Sequence, residues 1–168
     1  KEDADKAFCC GVLSRLGQLV MAQLYRSDYI LHVDMALADK FETAGNERLE
    51  LEERNFGITG PELSCWILGD LGFHKDYAVA ALFHQSADLE ALPSAWSLTA
   101  SFSNKIANYL LMDDRYKQIH RGNEKLEQLN KFSENKNNFL FALLQDFEKY
   151  CGLNQGQARA TLEDIETQ

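Results

Sequence analysis

Apolar side chains recur along this chain at the three- and four-residue intervals of an α-helix, and sustained strand-like alternation is absent. Val12, Leu16, Leu19, Val20 and Leu24 stand at i, i+4, i+7, i+8 and i+12, one face of a helix. Gly11 and Gly17 interrupt that stretch at about 1 kcal/mol each relative to alanine, which predicts a close helix–helix approach there. Ile30, Val33, Leu37 and Phe41 make a second stripe. Gly45-Asn46 then punctuates, and the charge-dense Glu47–Arg54 carries only Leu49 and Leu51 as apolar residues. It reads as a solvated helix or short connector, with a ligand-binding acidic cluster as the alternative.

The best-defined helix start is Ile58-Thr59-Gly60-Pro61-Glu62-Leu63. Thr59 can cap, Glu62 completes a capping box, and Pro61 falls in the first turn, where a missing N–H is harmless. Ile58 and Leu63 occupy the two positions of a hydrophobic staple. Leu63, Ile67 and Leu71 form the expected buried stripe, with Gly72 ending the helix. A further helix is expected over 75–85 with Val79, Leu82 and Phe83 inward. Another opens at Pro93-Ser94 and carries Trp96, Thr99, Phe102, Ile106, Tyr109 and Leu110. The polar stretch Asp113–Asn123 reads as a loop or frayed end. Leu126, Leu129 and Phe132 mark a short helix, and Leu140, Leu143, Leu144, Phe147 and Tyr150 a stronger one closed by Gly152. Ala158, Leu162 and Ile165 mark a terminal amphipathic helix. The expected fold class is all-α.

Composition narrows the function more than the fold. With 168 residues and 45% apolar content, the chain can bury a core as one domain. It carries 17 Lys+Arg against 26 Asp+Glu, and a net charge of −9 disfavours binding to nucleic acid or to anionic lipid. No apolar run is expected to reach the roughly 18–20 residues that cross a bilayer. The N-terminal Lys-Glu-Asp-Ala-Asp does not resemble a signal peptide, and the missing initiator Met suggests a piece of a longer protein. Cys9, Cys10, Cys65 and Cys151 form no Cys-x-x-Cys. They are expected to be reduced, mostly buried thiols in a cytoplasmic protein.

Chemistry is sparse. There is no phosphate-cradling Gly-rich loop, His-Glu-x-x-His or EF-hand pattern. His32, His74, His84 and His120 are scattered. His84 and Asp88, four apart, could share a helix face as a metal pair, but a lone pair is a poor site.

The order of several short blocks says more. Ala7-Phe8-Cys9-Cys10-Gly11-Val12-Leu13-Ser14-Arg15-Leu16-Gly17 resembles the segment of HD-type proteins that reads Phe-x-Ala-Gly-Leu-Leu-His-Asp-Ile-Gly. Glu53-Arg54-Asn55-Phe56-Gly57 leading into Gly60-Pro61-Glu62-Leu63-Ser64 is similar to Glu-x-x-x-Phe-Gly followed by His-Ala-Glu-Val-Gly. Leu71-Gly72-Phe73-His74 resembles Trp-Gly-Leu-Pro, and Ala81-Leu82-Phe83-His84-Gln85 resembles Ala-Ile-x-x-His-His. Residues 100–110 are similar to the helix that carries an Ala-Asp pair. Over residues 7–112 the chain thus resembles the HDOD family, the HD-related output domain of bacterial signalling proteins.

That resemblance implies an HD-like multi-helix bundle over 1–112, with 113–168 as a C-terminal helical extension packed on the same domain. It also implies several helices ahead of the Ala7-Phe8 segment; without them the exposed face could pair with another copy as a homodimer. HD phosphohydrolases hold divalent metals with His and Asp side chains that activate water. Here the corresponding positions are Ser14, Arg15, Gly60 and Asn104, and only His84 keeps its residue type. Serine is a weak neutral ligand, glycine supplies no side chain, and arginine brings a fixed positive charge. No catalytic residue, metal or cofactor is therefore expected. The implied role is a regulatory, signal-transducing domain that contacts a protein partner or an attached sensor or receiver domain. Trp66, Phe73 and Trp96 are candidate contacts, each with a core or rim role as the competing reading. The alternative is a nucleotide or phosphate sensor in the vestigial cleft, with Arg15 pairing a phosphate oxygen.

Overall fold

The computed structural model describes residues 2–34, 44–86, 88–119 and 126–167. Every regular element in these residues is helical. They are α1 (Glu2–Ser14), α2 (Leu16–Tyr25), a short α3 (Ser27–Tyr29) running into a π-helical stretch Ile30–Asp34, α4 (Ala44–Phe56), α5 (Gly60–Asp70), α6 (Lys75–Phe83), α7 (Ala95–Leu110), α8 (Met112–Ile119), α9 (Leu126–Asp146) with a π-helical continuation Phe147–Cys151, and α10 (Gln155–Glu166). The chain divides into two compact units, 1–104 and 105–168, so the division falls inside α7.

In the first unit α5 lies between α2 and α6, and α6 packs on α1. The capping box at Thr59 forms as the sequence predicts: Glu62 N–H donates to Thr59 Oγ1, and Thr59 N–H donates back to Glu62 Oε2 at 2.9 Å. Gly72, at φ +75°, follows the end of α5 in the left-handed region that glycine favours. Ser94 caps α7 by accepting from Ser97 N–H at 3.1 Å.

What these helices bury differs from the expected stripes. Along α5 the buried residues are Gly60, Pro61, Ser64 and Leu68, whereas Leu71 is 64% exposed. In α6 they are Ala78, Ala80 and Ala81, with Val79, Leu82 and Phe83 only half-buried. In α7 they are Ser97, Ala100 and Ser101. On α5 the reason is close approach. A Cβ on Gly17 would collide with the Gly60 carbonyl and with Ser64, so α2 and α5 meet backbone to backbone. Small residues occupy such an interface, and larger neighbours turn toward its rim. The other expected contact glycine, Gly11, has open space where its Cβ would be. Of the Val12–Leu24 stripe, Val12, Leu19 and Leu24 face outward at 59–70% exposure, while Leu16 and Val20 are half-buried.

Three apolar clusters complete this unit. Met21, Tyr29 and Val33 pack with Leu51, Phe56 and Leu63. Cys10, Ala80 and Ala100 pack with Tyr77 and Trp96. Leu68, Ala78 and Ala81 pack with Leu13, Leu16, Cys65 and Tyr77. Of the second stripe, Val33 is buried and Ile30 is 55% exposed, while Leu37 and Phe41 lie outside the described residues.

The second unit joins elements that the sequence separated. Most of the polar stretch expected to be a loop is the helix α8, and the short and strong helices expected over 126–150 are one, α9. Tyr116 stacks on Phe132 at 4.2 Å, and Lys136 pairs with Asp113. Lys105 pairs with Asp146 at 2.9 Å. Gly152 at φ +67° closes α9, and Asn154 with Gln157 forms a capping box for α10, which buries Ala158 and Leu162.

Two bulk expectations are corrected. Helical residues Ala4–Tyr25, taken together, are long and apolar enough to cross a membrane by length and composition alone. Only Lys6, Asp5 and Arg15 are charged in that span, and its other polar residues are mild interrupters. All four cysteines are free, but only Cys10 is buried; Cys9 and Cys151 are exposed and Cys65 is half-buried.

Candidate functional site

The vestigial positions gather where α1 gives way to α2. Ser14 ends α1, and Arg15 at the junction departs from ideal helix (φ −98°, ψ 9°). The Ser14 hydroxyl is buried and donates to Gly11 O within its own helix at 2.7 Å. Its carbonyl accepts from the buried Ser64 hydroxyl at 3.0 Å, and Ser64 Oγ in turn accepts from Gly17 N–H at 2.7 Å. Ser14 is thus spent on backbone, tying α1, α2 and α5 together.

Arg15 reaches toward α7, where its guanidinium donates to Asn104 Oδ1 at 2.5 Å. His84 follows directly on α6 and is 1% exposed. Its Nδ1–H donates to Ala81 O at 2.7 Å, which leaves Nε2 to accept from Gln85 Nε2 at 3.1 Å. Burial pushes the His84 pKa down to about 4, and the nearby positive charge of Arg15 adds to the shift. At neutral pH the imidazole is uncharged beside a permanent cation. Asp88, the suggested metal partner, instead accepts from the Glu90 and Ala91 backbone N–H groups in a turn.

Gly60 is the first residue of α5, and its N–H donates to Glu52 Oε2 at 2.6 Å. Glu52 is fully buried, and its other oxygen accepts from Tyr29 O–H at 2.5 Å. Arg48 also donates to the Tyr29 oxygen, at 3.2 Å. Burial, then the bond to Glu52, pushes the Tyr29 pKa well up, so the phenol stays a donor. A carboxylate at a helix N-terminus is favoured by the unpaired N–H groups there. The Glu47–Arg54 stretch is accordingly a helix with one fully inward acid rather than a uniformly solvated face. The signal was present: counting back through Glu-x-x-x-Phe-Gly from Phe56-Gly57 gives Glu52, not the exposed Glu53.

Of the suggested contact residues, Trp66 is 69% and Phe73 43% exposed. Trp96 instead packs on the Cys10–Ala80–Ala100 cluster, with Lys6 over its ring. Its place is in the core rim.

The donor set does not fit a catalytic divalent metal. Ser14 is turned to a backbone carbonyl, Gly60 has no side chain, Arg15 occupies its position with a cation, and His84 Nδ1 is committed to Ala81. Among the described residues no three His, Cys, Asp or Glu side chains cluster as a metal site would require. Comparison with curated proteins and with solved structures gave no match. The family model for the HDOD domain matches residues 1–87, which include Ser14, Arg15, Gly60 and His84 and stop short of Asn104. That match spans more than half of the chain, and the chain belongs to the HDOD family.

Proposed function

We propose that this chain is a non-catalytic regulatory domain that carries a signal through contact with a protein partner or an attached sensor or receiver domain. The observation that supports it best is the bond from Arg15 to Asn104 beside a neutral His84. A fixed guanidinium there repels a divalent cation and holds its neighbours in place, so the HD framework is kept while its hydrolytic chemistry is given up. Membership of the HDOD family suggests a signalling or regulatory role in the same direction. The exposed Trp66, Leu71 and Phe73 at the end of α5 supply apolar contact surface.

The test is a pair of measurements. Trp66→Ala with Leu71→Ala is expected to abolish the regulatory output while thermal unfolding stays within a few degrees of the parent. Phosphodiester turnover in the presence of Mn2+ that disappears in His84→Ala would overturn the reading. A nucleotide or phosphate sensor is the second reading, because Arg15 can exchange Asn104 for a phosphate oxygen. Calorimetric titration with nucleotides and cyclic dinucleotides separates it: binding lost in Arg15→Ala would favour the sensor.

A further inference from the structure

Helix α2 stops at Arg26 without any of the sequence signals that stop a helix. Neither glycine nor proline occurs from Gln18 to Asp34, and arginine is itself a good helix former. Arg26 nevertheless takes φ 38° and ψ −106°, and among the described residues it is the only non-glycine with positive φ. Those angles lie near the first central position of a type II′ turn, a conformation that glycine normally occupies. Arg26 N–H still donates to Ala22 O, and Ile30 N–H donates to Arg26 O, both at 3.1 Å. The helical ladder thus ends and restarts on one residue, and no side chain caps the restart. Rotation at Arg26 alone separates α2 from α3 and the π-helical stretch Ile30–Asp34.

What the local sequence does not ask for, distant contacts impose. In a straight helix Met21, Tyr29 and Val33 would be spread over about 18 Å of axis. The turn at Arg26 gathers them into one buried cluster with Leu51, Phe56 and Leu63. The clamp is polar as well: Tyr29 O–H donates to Glu52 Oε1 at 2.5 Å, and both residues are buried. Glu52 Oε2 accepts from Gly60 N–H at 2.6 Å, and Gly60 also meets the start of α2 at Gly17. One carboxylate therefore links the vestigial histidine position to the segment beyond Arg26. We infer that Ser27–Asp34 is a two-state switch segment. In the first state Glu52 holds Tyr29 and Arg26 is strained. In the second Tyr29 is released, Arg26 returns to helical angles, and α2 runs on unbroken toward Asp34. A shift of Gly60 that draws Glu52 away from Tyr29 favours the second state, because the strain at Arg26 then has nothing to sustain it. This deepens the regulatory reading and rests on it only for the purpose of the switch.

Relaxation-dispersion NMR of the chain tests the two states directly. The parent is expected to show millisecond exchange over Arg26–Asp34 with a minor state of about 1%, in which the Arg26 Cα shift moves to its helical value. Tyr29→Phe removes the bond to Glu52 and should raise the minor population about tenfold. Arg26→Gly accepts the bent angles without strain and resists the helix, so it should abolish the exchange and raise the thermal midpoint. Arg26→Ala loses the same charge but stays strained in the bend, and should keep the exchange at the parent level or above. Exchange absent from both the parent and Tyr29→Phe would overturn the proposal, as would a minor state whose Arg26 shift is not helical. So would Arg26→Gly and Arg26→Ala behaving alike, a comparison that holds even where Tyr29→Phe fails to fold. None of these readouts involves metal, turnover or regulatory output, so a segment with one state leaves the regulatory reading standing.

Discussion

The guanidinium of Arg15 and the side-chain carbonyl of Asn104 meet at 2.5 Å across 89 positions of sequence, joining the α1–α2 junction to α7. A charge-assisted bond of this kind, partly shielded from water, contributes on the order of 1–2 kcal/mol. Arg15→Ala is expected to lower the unfolding free energy by about that amount in a urea titration. It should also raise the His84 pKa, since the neighbouring cation is one of the influences holding it down, though burial keeps it below the ordinary histidine range. Proton NMR of the imidazole checks the direction of that shift.

His84 gives the fold a pH dependence whose sign follows from its lowered pKa. The unfolded chain takes up a proton near pH 6.5, and the folded one only near 4. Stability contributed by the neutral imidazole is therefore complete above pH 6.5 and is lost as pH falls toward 4, by about 3 kcal/mol in all. His84→Gln should remove this slope between pH 6.5 and 4.5. Chemical denaturation of both proteins across that window measures it.

Two glycines in the same helical span should respond oppositely to alanine. Gly17→Ala drives a methyl into the Gly60 carbonyl and the Ser64 backbone, which cannot yield as a flexible side chain would. The expected loss is about 3 kcal/mol or complete failure to fold. Gly11→Ala meets open space and should raise stability by about 0.5–1 kcal/mol. Thermal melts of both variants under one condition suffice.

Glu52 should be among the least tolerant positions in the first unit. Glu52→Ala leaves Gly60 N–H and Tyr29 O–H buried without an acceptor, a loss of about 3 kcal/mol or more. Glu52→Gln keeps one acceptor but turns an NH2 toward the other donor, and about 2 kcal/mol is expected. Glu53→Gln, on the exposed side of the same helix, should change stability by no more than about 0.5 kcal/mol. Denaturant midpoints of the three variants test the ranking.

Helix type was legible in the sequence because the apolar period and the Thr59–Glu62 cap are local signals. The buried phase was not. Large apolar residues report which side of a helix is hydrophobic, but the α2–α5 contact is set by Gly17, Gly60 and Ser64, whose small size matters more than their polarity. On α7 the buried residues are again small ones, Ser97, Ala100 and Ser101. The candidate site was legible by position, since Arg15, Asn104 and His84 do come together. Their bonds were not, because a partner 89 residues away leaves no local trace. Glu52 was hidden differently: among so many acids, nothing but its spacing from Phe56 separates the buried one from the solvated ones.

The most direct test of the account is calorimetric titration of the metal-free protein with Mn2+, followed by a phosphodiester turnover assay on the same sample. The account predicts no stoichiometric heat and no turnover above the buffer rate, with Arg15 remaining bonded to Asn104. One equivalent of tightly bound Mn2+, with turnover abolished by His84→Ala, would contradict it.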